Sequence, residues 1–471
     1  MRNIVLFGAS KFGSLVYAKL KNEKNIIYFA DNDSNKWGKL YEGIEVINPI
    51  KVKDFKNVQI IISSSYDLQI AEQLIAMGIK RFKIAKLLHN INSNNEEDEL
   101  ELIDCNFEMS GALTENKKIT LIVMNASGSN TIALYKLMPE YIKKKYKMNL
   151  IKDYKKDIYF YKTLLMSNLL IGTEGPVNHI ENSLNIELWH GFPLKGIGNM
   201  SKEDKVNMPF ISEQWNNLDA IISYSEFYNI FMSSAFWIEK EKFLITGMPR
   251  NDFLYKSDGK KQILNLLNLN MNDKKVLFYL PTFRKSVHQK NMTKIWDNIF
   301  GMADFNLEQF NSFLNKYNLH LIVKLHPNEE NYVISKLQQM KVNNITLLKN
   351  EVLNNSVVDL YEILNAADLL ITDYSSVYFD FLLLNRPIIF TPTDLEIYRK
   401  TRGFMLEPYG LWTPGPKVLK QEELEGEIIK LLTDTKYYQK ERQYIRDIIH
   451  RYKDGNSSER VWKVIDKIMV V

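Results

Sequence analysis

DLLITDYSSVYFDFLLLNRPIIF, residues 368–390, carries the fold decision in one stretch. A short apolar run, DLLIT, meets the polar turn Asp373-Tyr374-Ser375-Ser376. The apolar segment VYFDFLLL follows at helical length, and RPIIF opens a second apolar run. Strand, turn, helix and strand in that order predict a crossover unit with two parallel strands, because parallel neighbours cannot be joined by a tight hairpin. The runs are nearly all apolar rather than alternating, as expected for strands covered on both faces.

The same signature recurs outward from this unit. KVLFYLPT (275–282), HLIVKLHP (320–327) and NITLL (344–348) precede it. KITLIVMN (118–125), NLLIGTE (168–174), NIELWHG (185–191), DAIISYS (219–225) and KFLITGM (242–248) form an earlier series, and RNIVLFGAS (2–10), NIIYFADND (25–33) and VQIIISSS (58–65) a third at the front. The fold class is therefore α/β: a pair of Rossmann-like domains facing a cleft, preceded by a small Rossmann-like N-terminal domain. The expected division is a front domain over 1–88, a polar, acidic linker over 89–117, two larger domains over 118–260 and 261–435, and C-terminal helices over 436–471 packing back.

At 471 residues the chain exceeds what one core organises. Apolar residues make up 45% and charged residues 25%, the balance of a soluble globular protein. A single cysteine, Cys105, excludes an internal disulfide framework and a cysteine-based zinc site, and fits a reducing cytoplasm. MRNIVLFGAS runs straight into a strand-and-turn pattern rather than a signal sequence, and no apolar run approaches the ~20 residues needed to span a bilayer. A net charge of +5 is too mild to indicate nucleic acid. The cluster YIKKKYKMNLIKDYKK (141–156) alternates basic and aromatic residues and reads as a solvated helix face or as a contact with an anionic membrane surface.

Ligands of open parallel sheets bind beyond the carboxyl ends of the strands, and the polar residues fall there. NIELW leads to His190 and, through a Gly- and Pro-rich loop, Lys195; KFLITGM leads to Arg250; KVLFYL to Pro281, Thr282 and Arg284; HLIVKL, with Lys324 inside it, to His326; DLLITD to Ser375 and Ser376. Imidazoles serve as general bases near neutral pH, guanidinium groups grip phosphate oxygens, and hydroxyls before a helix can cap it while its N–H groups face an anion. The collection suits transfer of a phosphate-bearing group. No GxxxxGK[ST] loop is present, which excludes a P-loop NTPase, and no His/Asp/Glu spacing reads as a dedicated metal site.

WHGFPLKGIG, GMPRND, YLPTFR, VKLHP, ITDYSSVYFDFLLLNRPIIF and RGFMLEPYGLWTPGP stand in the order found in the CDP-glycerol glycerophosphotransferase family, which this chain resembles over roughly residues 118–440. These are the teichoic-acid and capsule alditol-phosphate polymerases and primases of bacteria. The resemblance implies a GT-B-like fold, a CDP-alditol donor, and a lipid-linked glycopolymer acceptor reached from the inner face of the cell membrane. It implies a peripheral, cytoplasmic enzyme with no required cofactor, Mg2+ entering only through substrate phosphates, and no nucleic-acid partner; a homo-oligomer stays open. His190 resembles the general base, and His326 the residue that steadies the diphosphate as CMP departs. Trp189, Gly191, Lys195, Arg250, Pro281, Thr282, Arg284, Lys324, Ser375, Ser376, Asp380 and Arg402 stand where the family contacts its substrates, and residues 345–363 could hold cytosine and ribose by position. Phe192 replaces the threonine usual after WHG, which leaves glycerol, ribitol or another alditol open. A nucleotide-sugar GT-B glycosyltransferase of cell-surface polysaccharide synthesis is the alternative.

The front domain lies outside that resemblance. GASKFG (8–13) after a strand, with Asp31 closing the next strand, resembles a dinucleotide fingerprint, so Gly8, Ser10, Gly13 and Asp31 are candidate nucleotide contacts. Ser10 stands where the fingerprint's middle glycine would be. The stretch is similar to the small Rossmann-like domains at the front of some sugar-modifying acyltransferases.

Overall fold

A computed structural model of the chain describes residues 3–88, 99–108, 117–125, 127–152, 155–173, 175–176, 180–201, 207–282, 299–326, 329–330 and 342–470. It divides into two compact units, one formed by residues 1–120, 145–170 and 178–185, the other by 121–144, 171–177 and 186–471.

The strands run β1 (Asn3–Phe7), β2 (Asn25–Ala30), β3 (Leu40–Tyr41), β4 (Ile44–Ile47), β5 (Val58–Ile62), β6 (Arg81–Leu88), β7 (Glu99–Asn106), β8 (Lys118–Ile122), β9 (Lys147–Ile151), β10 (Leu169–Gly172), β11 (Leu184–Glu187), β12 (Ala220–Ser223), β13 (Phe243–Ile245), β14 (Lys275–Leu280), β15 (Leu319–Val323), β16 (Ile345–Leu347), β17 (Leu369–Thr372) and β18 (Ile388–Phe390). They form three sheets: β3-β4-β2-β1-β5-β6-β7, β13-β12-β11-β10-β8-β9 and β16-β15-β14-β17-β18.

In the third sheet, β15 and β17 are buried at every position, as their unbroken apolar runs demand. Leu277, Tyr279, Leu321, Val323, Leu369 and Ile371 share one core on its face. The parallel register sets Tyr279 beside Val323 and Leu280 beside Thr372. The segments after β14, β15 and β17 therefore leave the sheet at one edge. The same holds where Glu187 pairs with Ile221 and Ser223 with Ile245, so the segments after β11, β12 and β13 also leave together.

One correction concerns the stretch read as a linker. Glu99–Asn106 is strand β7, paired antiparallel along the whole of β6. Its apolar residues alternate with exposed acidic ones, and Asp104 and Glu101 meet Lys83 and Lys86 of β6. The acidic composition of the outward face concealed a half-buried edge strand.

Four helices bear on the site: α1 (Asn130–Lys136), α2 (Leu360–Leu364), α3 (Val377–Phe381) and α4 (Ser457–Val470). The C-terminal α4 returns to the segment after β13. Its first N–H groups, on Ser457 and Ser458, donate to the carboxylate of Asp252 at 2.8 and 2.7 Å, and the Trp462 indole donates to the Leu134 carbonyl of α1.

Candidate active site

The loop after β11 takes a conformation that side chains rarely accept. Trp189 lies in the left-handed region at φ 50°, a costly position for a bulky residue. Its surroundings over-determine it. The Trp189 N–H donates to Glu187 at 2.7 Å, and its carbonyl accepts from Asn130 at 2.8 Å and Thr173 at 2.7 Å. The indole packs edge-on against Trp215 and Phe236. This turn lifts His190 out of the wall. Trp189 is buried and His190 is exposed, with the two rings 4.2 Å apart. Gly191 follows because there is no room for a side chain: a Cβ would sit 2.9 Å from the Arg250 guanidinium and 3.1 Å from the Ser376 hydroxyl. Lys195 then pairs its backbone with Phe404.

Trp189, His190, Gly191, Lys195, Arg250, Pro281, Thr282, Lys324, His326, Ser375 and Ser376 line one cleft of about 440 Å³. Both proposed imidazoles thus open into the same space, from the ends of β11 and β15. Lys195 is felt by both. Enclosure by the cleft walls, then the charges of Lys195 and Arg250, hold the His190 imidazole well below its ordinary pKa. His326 is likewise lowered, by burial first, then by Lys324 and Lys195, with Glu330 opposing. At neutral pH the His190 ring is therefore an uncharged acceptor.

Other residues are placed differently from the sequence reading. Arg250, expected to hold donor phosphate, is 3% exposed and spends its charge on Asp380 at 2.6 Å. It also donates to the Gly128 carbonyl at 2.9 Å and lies over the Tyr361 ring. Asp380, expected at the substrate, is fully buried, accepts from Arg250, Asn251 and Tyr361, and is not among the described residues lining the cleft. Its apolar surroundings oppose ionisation, but Arg250 and these donors prevail and keep the carboxyl below its usual range. Lys324 reaches the cleft wall, yet its ammonium pairs with Glu330 at 2.9 Å. Burial lowers the lysine's pKa while Glu330 resists the change.

Neither serine hydroxyl caps the short helix α3, which has no side-chain cap; both serines face the cleft instead. Arg402 is not among the described lining residues either, although its carbonyl lies close against Gly196. Arg284 lies outside the described residues. Phe192 is fully buried, ringed by Tyr224, Phe227, Tyr228, Phe231 and Phe379. Its aromatic ring fills the core behind the loop, and Phe192 is also among the residues lining the cleft.

Several residues that build the site went unread in the sequence. Asp373 accepts from the Thr282 N–H at 2.8 Å and the Tyr374 N–H, fixing the loops after β14 and β17 to each other. Asp359 accepts from Gly128 and Ser129 N–H groups at 3.1 and 2.7 Å; burial raises its pKa to about 6 against these donors. A signal for Asp359 existed: DLYE (359–362) is a capping box, and Glu362 does bond back to the Asp359 N–H at 2.9 Å. Its second task across the cleft had no local signature.

In the front domain the four candidate nucleotide contacts each have a local packing or hydrogen-bonding role. Gly8 and Gly13 allow strand and helix to touch, since a Cβ on Gly13 would lie 2.0 Å from the Gly8 carbonyl oxygen. Ser10 caps its helix by accepting from Gly13. The Asp31 carboxylate accepts from the N–H groups of Ala9 and Asp33 and from Lys36.

Residues 133–467 match the family described as CDP-Glycerol:Poly(glycerophosphate) glycerophosphotransferase, and residues 1–85 match C2185-like, N-terminal. The teichoic acid glycerol-phosphate primase of Bacillus subtilis (strain 168) is 30% identical over 315 residues, covering 65% of this chain and 74% of that protein. A teichoic acid poly(glycerol phosphate) polymerase of Bacillus spizizenii is 33% identical over 305 residues, 59% of this chain and 69% of that one. The ribitol-phosphate polymerase TarK of Staphylococcus aureus is 30% identical over 59% of this chain and 51% of its own length. The solved wall teichoic acid polymerase TagF shares the fold, with a TM-score of 0.60 at 24% identity over 75% of this chain and 89% of that chain. The architecture is accordingly GT-B-like.

Replacing Asp380 with asparagine leaves a buried guanidinium without its counter-charge and should cost about 3–5 kcal/mol of unfolding free energy. Urea denaturation measures it; a loss below about 1 kcal/mol would show that the pair contributes no more than a surface one.

Proposed function

The chain belongs to the CDP-glycerol:poly(glycerophosphate) glycerophosphotransferase family, and from that premise we propose how its cleft works and on what. It is a CDP-alditol phosphotransferase of the teichoic-acid type, moving glycerol phosphate or ribitol phosphate from the CDP-linked donor to an acceptor hydroxyl. The observation that carries the site assignment is the opening of His190 and His326 into one cleft beside Lys195.

In our reading, His190 accepts the proton of the acceptor hydroxyl as its oxygen attacks the β-phosphorus of the donor in line. The new O–P bond forms as the bond from the β-phosphorus to the bridging oxygen breaks, and CMP leaves with that oxygen. His326 donates a hydrogen bond to the donor's diphosphate and steadies the charge that gathers on the phosphate of the departing CMP. Lys195 supplies positive charge between the two imidazoles, and Thr282, Ser375 and Ser376 supply hydroxyls. Arg250 and Lys324, paired with Asp380 and Glu330, shape the cleft wall. The protein's share is orientation and electrostatic stabilisation. No resident cofactor enters this scheme; Mg2+ would arrive with the diphosphate.

The acceptor is a lipid-linked glycopolymer in this proposal, and the enzyme works at the inner face of the membrane. Among the described residues no helix is long and apolar enough to cross a bilayer. Peripheral attachment would use the basic segment 141–156, of which Asp153 and Tyr154 lie outside the described residues. In its described part Tyr141 is exposed, Lys143 pairs with Glu140, and Lys145 lies over the Tyr146 ring. For the front domain the reading is a non-catalytic nucleotide-binding or docking role; both oxygens of its Asp31 already have partners within the domain.

Three outcomes are expected. His190→Ala should lower CMP release from CDP-glycerol or CDP-ribitol about 10²–10³-fold; undiminished release, or release of UDP or GDP from nucleotide sugars instead, would refute the assignment. Because the free His190 pKa is depressed, the base stays active as pH falls, and kcat/KM should lose its acid limb only below the ordinary imidazole value of about 6.5. The limb of kcat should lie at higher pH, since bound diphosphate favours the imidazolium; a kcat/KM limb above about 6.5 would contradict this. Neutralising Lys143, Lys144 and Lys145 together should reduce co-sedimentation with anionic vesicles, and unchanged sedimentation would exclude that segment as the contact.

A further inference from the structure

The two loops that bring His190 and Arg250 to the cleft are joined by one neutral side chain outside the sequence motifs. Asn130, the first residue of α1, is fully buried. Its amide nitrogen donates to the carbonyls of Leu188 at 3.1 Å and Trp189 at 2.8 Å, and its amide oxygen accepts from the Arg250 N–H at 3.1 Å. Both N–H donors and the carbonyl are therefore committed to backbone groups flanking the two motifs.

Only an amide satisfies this arrangement. A carboxylate would offer no donor and would face two carbonyl oxygens; a hydroxyl has one donor for two acceptors. The demand arises from Trp189, whose left-handed backbone persists only if its carbonyl is held from outside. Asn130 and Thr173 are the two donors found there. The next residue along the chain is His190, so any relaxation of Trp189 turns the imidazole away from the cleft.

We propose that Asn130 is a positioning residue for the transfer reaction: its amide clamps the Trp189 carbonyl and thereby sets the direction of the His190 imidazole. This rests on the reading of His190 as the base. Asn130 is not among the described residues lining the cleft, so its influence on rate must pass through the groups that it holds.

The test is a double-mutant cycle read by CMP release. Asn130→Ala should lower kcat ~100-fold, as a misplacement near 1 Å can, with KM for CDP-glycerol changed less than about threefold. In a His190→Ala background the same change should cost less than about threefold, because the group it positions is gone. Thr173→Val removes the second donor at nearly constant volume and should cost about tenfold, again lost in the His190→Ala background. This variant decides the matter if Asn130→Ala does not fold. Losses that multiply in full on top of His190→Ala, or an unchanged kcat, overturn the proposal while leaving the base assignment standing. An unchanged kcat for His190→Ala alone overturns the base assignment and this inference with it.

Discussion

Arg250 and Asp380 form a buried ion pair on which the geometry of the cleft depends. Each charge would cost several kcal/mol to bury alone. Asp380 therefore gathers Asn251 and Tyr361 as well as the guanidinium, and Arg250 reaches the Gly128 carbonyl and the face of Tyr361. The participants come from the segment before α1, the end of β13, α2 and α3. None of them can be satisfied until all four segments are in place. The pair is thus a check on assembly: with the segments misaligned, an unpaired charge is left in an apolar wall.

The proposed catalytic groups sit on top of this layer of paired charges. The field at the imidazoles is set first by enclosure, then by Lys195 and Arg250 at His190 and by Lys324 and Lys195, opposed by Glu330, at His326. Both histidines are pushed toward the neutral form by the protein's own groups. In the proposed reaction a diphosphate entering this space brings negative charge and reverses that bias, most usefully at the imidazole assigned to the leaving group. A single electrostatic arrangement can in this way keep one imidazole as acceptor and let the other become donor once substrate binds.

Close approach explains the glycines of the motif better than flexibility does. Gly191 must pass within touching distance of Arg250 and Ser376, and Gly128 within touching distance of Arg250 and Tyr361. These contacts tie the loop that bears His190 to the turn that bears the two serines. Phe192 belongs to the same logic from the other side. Its ring closes the aromatic core behind the loop and so supports from within the wall that Phe192 also lines.

Much was legible along the chain. The unbroken apolar runs reported the parallel strands, and the polar residues at their carboxyl ends marked the cleft, because both are properties of a few neighbouring residues and the local period of the backbone. His190, His326, Lys195, Thr282 and the two serines meet in one space as those strand ends implied. The acidic strand β7 was obscured because its outer face is charged. Which charge meets which was not legible at all. The sequence spells Arg250, Asp380, Lys324 and Glu330 as separate polar residues, and only the tertiary structure decides that they pair, since a side chain's electrostatic partner is fixed by folding rather than by its neighbours along the chain.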